Sequence, residues 1–254
     1  MNESGICRNF SIAAATYDQG AGIQRKAARA LIGRCPPVAE NILEAGCGTG
    51  ALTNLLASTY PAASIVAVDF SGDMLRVARA NVVGRNVCFV EADLRKELAA
   101  SPQFDLIASN AALQWLADDL DAVLRRLCRR LTPSGSLAFS YFGPDTYREL
   151  RDALSRVTGQ QVRLPSDGFA APDVLAATVR RHFQLVEVET VDYVETFPTL
   201  RALLANVRST GTRGNGPSPK IAWTPGLLQR VEDDYRQACG EIVVTYQISF
   251  CIAR

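Results

Sequence analysis

Three glycines stand within five residues of this sequence, in the segment Gly46-Cys-Gly-Thr-Gly50. The apolar run Asn41–Ala45 before them predicts a buried strand, and Ala51–Ala57 after them has the pattern of a helix. Because Gly46 and Gly48 tolerate backbone angles that other residues avoid, the chain can turn sharply here and approach a ligand closely. A strand that turns directly into a helix through glycines predicts the first strand–helix unit of an α/β fold.

The first half of the chain repeats this alternation of strand and helix. Further runs that read as buried strands cover 64–69, 86–91, 104–109 and 136–141. Helices are predicted to begin at Ser71 or Asp73 and to cover Leu120–Leu131, with a turn at Thr132–Gly135. Strands that alternate with helices pair in parallel and are buried on both faces. The sequence therefore predicts a doubly wound, mostly parallel sheet.

After Gly143 and Pro144 the pattern changes. Residues 145–182 are predicted to be mostly helical, and strand-like segments cover 185–197 and 242–252. Two more helices are predicted over 200–207 and 225–238, and a loop rich in glycine, proline and serine covers 209–219. These late strands bring the predicted sheet to seven, and we expect one domain over 1–254.

Composition excludes several classes of protein. With 27 basic and 26 acidic residues, the net charge of +1 gives no field that would recruit nucleic acid or an acidic membrane. Seven cysteines without a CxxC pair and a single histidine, His182, predict no metal site. Since the N-terminus lacks the pattern of a signal peptide and no apolar run approaches the length of a membrane span, we expect a cytoplasmic protein.

An acidic residue follows the glycine loop at an informative distance. Asp69 ends the second predicted strand, 19 residues after Gly50, where such an acid is placed to accept both hydroxyls of a ribose. The dinucleotide fingerprint GxGxxG requires a glycine at position 51, but this residue is alanine. The series Glu44-x-Gly46-x-Gly48-x-Gly50 instead resembles motif I of the class I S-adenosylmethionine-dependent methyltransferases.

Two later segments also resemble that family. Glu91–Leu94 follows the third strand, where the family places an acid near the adenine amino group, and Ser109–Trp115 follows the fourth, where it lines the methionine and acceptor side. The resemblance implies S-adenosyl-L-methionine as cofactor and a Rossmann-like methyltransferase sheet. The cofactor-binding residues that it implies are Tyr17, Gln24, Glu44, Gly46, Cys47, Gly48, Asp69, Phe70, Met74, Asp93, Leu94, Ser109, Asn110 and Ala111.

Segments outside this core resemble a narrower family. They are Phe10–Asp18 with Ile23 and Gln24, Ser109–Trp115, Phe139–Pro144, Tyr147–Leu150, Gly211 after Arg208, and Thr245 with Tyr246. Together they resemble the malonyl-[acyl-carrier protein] O-methyltransferases of biotin synthesis, from about Phe10 to the C-terminus and most weakly over 160–185. This resemblance implies an N-terminal helical lid over 1–34, a cofactor-binding core over 40–142, helical acceptor-side insertions over 143–182 and 198–240, and a last strand over 241–252.

The implied reaction is methylation of the free carboxylate of a malonyl thioester, on acyl-carrier protein or coenzyme A, to give the ester that primes pimeloyl synthesis. A carboxylate is already ionised at pH 7 and needs no general base. Tyr17 is implied in the lid at the methionine end of the cofactor, and Arg208 is the predicted partner of the acceptor carboxylate. Methylation of a small carboxylate such as trans-aconitate or of a quinone precursor, and a catalytically silent cofactor-binding regulator, are the alternatives.

Arginines are numerous and clustered, since only three of the 27 basic residues are lysines. The clusters are Arg125, Arg126, Arg129 and Arg130; Arg148, Arg151 and Arg156; and Arg208 with Arg213. They form either solvated faces or a rim that orients an acidic carrier protein, with the first cluster as the predicted docking surface. Structural roles are predicted for Asp18 as a helix cap, Trp115 as packing, Cys47 as a small filler and His182 on a surface helix. We expect a monomer.

Overall fold

The computed structural model describes residues 3–83, 86–96, 103–214 and 216–254. Its centre is a seven-stranded sheet with the order β3-β2-β1-β4-β5-β7-β6. The strands are β1 (Asn41–Ala45), β2 (Ser64–Asp69), β3 (Val87–Glu91), β4 (Phe104–Asn110), β5 (Leu131–Phe142), β6 (Val186–Phe197) and β7 (Ile242–Ala253). Strands β1 to β5 pair in parallel, and β7 pairs antiparallel with β5 and β6. The prediction of a seven-stranded, mostly parallel sheet is confirmed.

Helices flank this sheet, as the alternating pattern predicts. Three precede β1: α1 (Glu3–Ala13), α2 (Tyr17–Gly20) and α3 (Gly22–Ile32). Between the strands lie α4 (Ala51–Thr59), α5 (Gly72–Asn81), α6 (Leu120–Cys128), α7 (Arg148–Thr158), α8 (Pro172–Val179), α9 (Leu200–Ser209) and α10 (Pro225–Cys239), with 3₁₀ helices at Leu113–Asp119 and Pro165–Gly168. Within these described ranges, no helix is long and apolar enough to cross a membrane.

The strand order places a crevice at the centre of the sheet. Strands β1 and β4 are neighbours, and the chain proceeds outward from them in opposite directions. Loops that follow such neighbouring strands diverge to opposite faces, which opens a crevice at the carboxyl edge of the sheet. The glycine loop follows β1 and Ala111 follows β4, so both predicted motifs border this crevice.

Helix α5 shows how local sequence fixes an element beside the crevice. The Ser71 side chain caps it by accepting a hydrogen bond from the Met74 N–H at 3.3 Å, which confirms one of the two predicted starts. The buried residues Met74, Leu75 and Ala78 form one face of the helix at the expected spacing. That face anchors α5 and places its first turn next to Asp69.

The predicted boundary between α6 and β5 is wrong. Helix α6 ends at Cys128 rather than Leu131, and β5 includes the predicted turn Thr132–Gly135. Leu131 pairs with Phe104, and Ser136 pairs with Leu106. Between these two pairs, β5 therefore has more residues than β4 has. Pairing with β4 therefore captures Leu131 into the sheet and leaves the turn residues as an irregularity within the strand.

The prediction for His182 is also wrong. It follows the end of α8 instead of lying on a helix, and only 13% of its side chain is exposed. Its Nε2 lies 3.1 Å from Asp121 Oδ1 at the start of α6. His182 therefore helps to fix α8 against α6 and does not belong to the surface of either helix.

Candidate active site

Two adjoining cavities lie at the carboxyl edge of the sheet. The volume available to the centre of a water molecule is about 140 Å³ in the cavity against the glycine loop, which we call the loop cavity. It is about 610 Å³ in the cavity among α7, α9 and the segment before α10, which we call the helix cavity. Five residues line both: Phe10, Tyr17, Gln24, Ala111 and Trp115. A molecule bound in one cavity would therefore face a molecule bound in the other.

The glycine loop forms one wall of the loop cavity. Gly46 has a φ of +78°, and a Cβ added there would lie 2.4 Å from the Cβ of Ala112. Gly48 has a φ of +54°, and a Cβ added there would meet nothing within 4 Å, so its backbone borders open space. Crowding requires glycine at the first position, and the left-handed backbone favours glycine at both. The loop then enters α4, whose first residues Ala51 and Leu52 line the cavity.

Asp69 lies against this loop at the end of β2. Its Oδ2 accepts a hydrogen bond from the Gly48 N–H at 2.9 Å, and its Oδ1 accepts one from the Ser71 N–H at 2.9 Å. Burial raises the pKa of Asp69, and the hydrogen bonds from the backbone N–H groups of Ser71, Gly48 and Phe70 oppose this shift. The two carboxylate oxygens have about four acceptor positions between them, so Asp69 retains capacity to accept from a neighbouring hydroxyl group.

Glu44 is the most deeply buried acid of the loop cavity, with 1% of its surface exposed. Its Oε2 accepts a hydrogen bond from the Thr53 hydroxyl at 2.6 Å. Burial raises the pKa of Glu44 to about 8, and the hydrogen bond from Thr53 opposes this shift while the nearby Asp69 adds to it. Since this pKa lies above 7, most of Glu44 is protonated at neutral pH in the absence of a bound cation.

The structure brings most of the predicted cofactor residues together. The loop cavity is lined by Tyr17, Gln24, Glu44, Gly46, Cys47, Gly48, Asp69, Phe70, Met74, Asp93, Leu94, Asn110 and Ala111. Arg95 donates to both carboxylate oxygens of Asp93, at 2.9 and 2.8 Å, and thereby lowers the pKa of Asp93. Burial raises the pKa of the Cys47 thiol, so its sulfur stays protonated at neutral pH.

Ser109 is the exception among these predicted residues. It is fully buried, and its hydroxyl donates to the Ala45 carbonyl at 2.7 Å, so it connects β4 to β1 instead of lining a cavity. The next residue, Asn110, donates to the Gln24 carbonyl at 3.0 Å and accepts from the Ser140 hydroxyl at 2.8 Å. Ala111 then adopts a left-handed backbone with φ of 53°, which is unfavourable for alanine and typical of functional loops.

The helix cavity contains two residues that the sequence did not single out, Arg201 and Trp223. Gln114, Tyr147, Arg201, Trp223 and Tyr246 all line it beside the predicted Arg208. Arg201 could have been found from periodicity, because it lies seven residues before Arg208 and so on the same face of a helix. Trp223 carries no local pattern that would have assigned it to a site. Gln114, Tyr147 and Tyr246 lie within segments that resemble the narrower family.

Charge separates the two cavities. Acidic residues predominate along the loop cavity, where Glu44, Asp69, Asp93, Asp118 and Asp119 accompany two arginines, Arg25 and Arg95. The helix cavity is lined by Arg201, Arg208 and Arg213, and within the described part of the chain none of its lining residues is acidic. The first environment suits a cationic ligand and the second an anionic one.

The structure does not support docking on the first arginine cluster. Arg125, Arg126, Arg129 and Arg130 line neither cavity. The Arg130 carbonyl accepts from the Phe104 N–H at 2.8 Å, where β4 begins, so this end of α6 lies at the edge of the sheet opposite the crevice.

The second arginine cluster forms ion pairs within the chain. Arg148 contacts Asp192 at 2.9 Å. Arg151 contacts Asp167 at 2.7 Å, and Arg156 contacts Asp234 at 2.7 Å. Each of these charges is already matched by a carboxylate, which leaves the arginines around the helix cavity as the better candidates for binding an anion.

A central crevice between β1 and β4, with a glycine loop against acidic residues, places the chain among the class I S-adenosylmethionine-dependent methyltransferases. A family model described as a methyltransferase domain matches residues 42–135. More specifically, the chain belongs to the malonyl-[acyl-carrier protein] O-methyltransferase family. A relative of that name from Bacillus anthracis is 32% identical over 98% of this chain and 96% of its own length. Another, from Halalkalibacterium halodurans, is 34% identical over 100% of this chain and 99% of its own length.

Solved structures show the same fold at lower identity. The YcgJ protein of Bacillus subtilis matches 89% of this chain and 97% of its own with a TM-score of 0.60 and 14% identity. Phosphoethanolamine N-methyltransferase 2 of Haemonchus contortus, solved with S-adenosyl-L-methionine, matches 96% of this chain at a TM-score of 0.60 and 17% identity. This chain spans 57% of that longer protein. These structures show the fold. Membership of the family shown by the curated relatives makes the chain an S-adenosyl-L-methionine-dependent methyltransferase enzyme.

Proposed function

We propose that the chain transfers the methyl group of S-adenosyl-L-methionine to the free carboxylate of a malonyl thioester on acyl-carrier protein. The observation that carries this proposal is the meeting of an acidic cavity and an arginine-lined cavity at Tyr17, Gln24 and Trp115. A sulfonium cofactor fits the first cavity and a carboxylate acceptor fits the second. The names of the relatives support the same acceptor.

The residues of the loop cavity fit the cofactor. Asp69 would accept hydrogen bonds from the ribose hydroxyls, and Asp93, which also lines the cavity, would accept from the adenine amino group. Gln24 Oε1 is buried without a hydrogen-bond partner, so it offers an acceptor to the ammonium group of the cofactor. When bound, the cofactor supplies an electrophilic methyl group on a positively charged sulfur. Glu44 and Asp69 would stabilise that positive charge.

The acceptor needs orientation rather than activation. Its carboxylate is ionised at pH 7, so the site needs no base to remove a proton. Arg208 would hold one end of the carboxylate and direct an oxygen toward the shared wall. Burial raises the pKa of Tyr17 well above its usual range, so its hydroxyl stays protonated and can donate a hydrogen bond there. The N-terminal helices α1 and α2, which carry Phe10 and Tyr17, would act as a lid that excludes water.

The mouth of the helix cavity suits an acidic carrier protein. Arg201, Arg208 and Arg213 are exposed and line the cavity, and exposed Lys220 lies in the segment that follows. Positive charge at the entrance would steer an acidic carrier and its thioester arm toward the cavity. We therefore place carrier docking on α9 and the segment after it. We further propose that the protein is a cytoplasmic monomer and that its methyl ester product primes pimeloyl synthesis for biotin.

The deciding experiment is transfer of a labelled methyl group from the cofactor to purified malonyl-carrier protein. We expect labelled ester on this acceptor and none on acetyl-carrier protein, which has the same thioester but lacks the carboxylate. Malonyl-coenzyme A separates recognition of the carrier from recognition of the malonyl group. Equal or faster methylation of free malonate or trans-aconitate would contradict the proposal and favour a small-molecule acceptor.

A further inference from the structure

A single carboxylate joins helix α2 to the glycine loop. Asp18 Oδ1 accepts a hydrogen bond from the Thr49 hydroxyl at 2.6 Å, and its Oδ2 accepts one from Asn81 Nδ2 at 2.9 Å. Asn81 Nδ2 also donates to the Thr49 carbonyl at 3.1 Å, so the three residues form a closed network. Thr49 immediately follows Gly48, which borders the loop cavity. A ligand that orders the glycine loop would therefore order the partner of Asp18.

These bonds show that Asp18 is not simply a helix cap. A capping side chain would accept a hydrogen bond from the first N–H groups of the helix that follows it, but α3 starts after Ala21 without a side-chain cap. Both carboxylate oxygens of Asp18 instead bind residues 31 and 63 positions away in the chain. The predicted capping role is therefore replaced by a long-range connection.

The opposite side of α2 packs against the helix that carries Arg208. Asn206 Nδ2 of α9 donates to the Gly20 carbonyl at 3.1 Å, and the Thr16 hydroxyl donates to the Ser209 carbonyl at 3.1 Å. A Cβ added at Gly20 would lie 2.3 Å from Ser209 Oγ, so the two helices are in direct contact. Any displacement of α2 must therefore displace α9 or break this contact.

Helix α2 cannot determine its own position. It has four residues, far fewer than a helix needs to be stable in isolation. Its position depends on the contacts to the glycine loop on one side and to α9 on the other. Tyr17, which lines both cavities, lies between these two sets of contacts.

We propose that Asp18 is a positioning residue that couples occupancy of the loop cavity to binding in the helix cavity. A cofactor orders the glycine loop, Thr49 then fixes Asp18 and α2, and α2 holds α9 with Arg208 in place for the acceptor. The coupling is reciprocal, because each ligand favours the same arrangement of α2. The identities of the two ligands rest on the function proposed above, whereas the network itself depends only on the contacts of α2.

The test measures coupling without turnover. S-adenosylhomocysteine lacks the transferable methyl group, so calorimetry can measure the affinity for malonyl-coenzyme A with and without it. In the wild type we expect tighter binding of malonyl-coenzyme A by about tenfold when S-adenosylhomocysteine is present, within the usual range of coupling between sites. Asp18→Ala should reduce this factor to near one, and Asp18→Asn should restore part of it because its amide oxygen still accepts one bond.

Two further variants keep the result decisive. Thr49→Val removes the same hydrogen bond from the other partner, so it should reproduce the loss of coupling and add little to Asp18→Ala in the double variant. Asp173→Asn, at an exposed acid on α8, is the matched control and should keep the wild-type factor. Should Asp18→Ala fail to fold, Thr49→Val alone decides.

The outcomes separate this inference from the proposed function. Wild-type coupling that persists in Asp18→Ala and Thr49→Val would overturn the role of Asp18, even if malonyl-carrier protein is methylated. A wild type that binds S-adenosylhomocysteine and shows no coupling at all would overturn it too. Binding of S-adenosylhomocysteine without any methylation of malonyl acceptors would instead refute the proposed function.

Discussion

Glu44 makes the stability of this protein depend on pH in a way that one isosteric substitution can reveal. In the unfolded chain its carboxyl titrates near 4.5, whereas burial raises the folded pKa to about 8. The folded state therefore keeps a proton that the unfolded state releases across this interval. Because raising the pH favours the state that binds fewer protons, Glu44 lowers stability progressively from about pH 4.5 to pH 8 and causes no further loss above that.

The size of the effect follows from the two pKa values. Each pH unit between them changes the free energy of unfolding by about 1.4 kcal/mol, so from pH 4.5 to pH 7 the loss is roughly 3 kcal/mol. Glu44→Gln has the shape of the protonated acid, can still accept from the Thr53 hydroxyl and cannot ionise. We therefore expect the variant to be about 3 kcal/mol more stable at pH 7 and nearly unchanged at pH 4.

Urea denaturation of both proteins from pH 4 to pH 8.5 measures this difference directly. Glu40→Gln is the matched control, because the same substitution at an exposed acid should leave the pH profile unchanged. Profiles of wild type and Glu44→Gln that run parallel between pH 5 and pH 8 would refute the reasoning, since they would show that buried Glu44 is already ionised.

Cofactor binding gives an independent measure of the same proton. A positive charge near Glu44 favours its ionised form, so binding at pH 7 should release up to one proton per cofactor. Calorimetry in buffers with different ionisation enthalpies counts that proton. We expect release in the wild type and none from this position in Glu44→Gln.

Three further predictions concern the two cavities. Asp69→Ala should weaken S-adenosylhomocysteine binding about tenfold to a hundredfold, because a hydrogen bond to a charged group contributes roughly 1.5–3 kcal/mol; unchanged affinity in a folded variant would exclude the ribose role. Arg208→Ala should raise the KM for malonyl-carrier protein about tenfold or more with little effect on S-adenosylhomocysteine affinity, whereas Arg125→Ala should leave both unchanged. Single-turnover rates should stay flat from pH 6 to pH 8, since the carboxylate is already ionised; a rising limb abolished by His182→Ala would instead indicate base catalysis.

The sequence predicted those features of the site that depend on neighbouring residues. Gly46 and Gly48 could be assigned to a turn because glycine favours the left-handed backbone angles found there. Asp69 could be assigned to the same edge of the sheet because it ends the adjacent parallel strand. The start of α5 followed from the side chain of Ser71 and the apolar spacing after it. Local conformation and periodicity were sufficient for the sheet and for one wall of the loop cavity.

Predictions failed where a distant partner competed with the local pattern. Thr132–Gly135 has the composition of a turn, yet pairing of Leu131 with Phe104 draws it into β5. Ser109 follows the motif order, yet its hydroxyl reaches Ala45 on the neighbouring strand instead of a cavity. In both cases a contact across the sheet outweighed the preference of the segment itself.

By itself, the sequence determined the order of strands and helices, the glycine loop and the acid that faces it, because backbone preferences and apolar spacing act over a few residues. Tertiary structure alone decided that Asp18 binds Thr49 and Asn81, and that the cavity beside the predicted Arg208 is free of acidic residues within the described chain. Such partners are far apart in the sequence, and nothing local distinguishes an arginine that will be paired from one that will face a cavity. They meet only when the sheet brings the ends of distant strands to one edge.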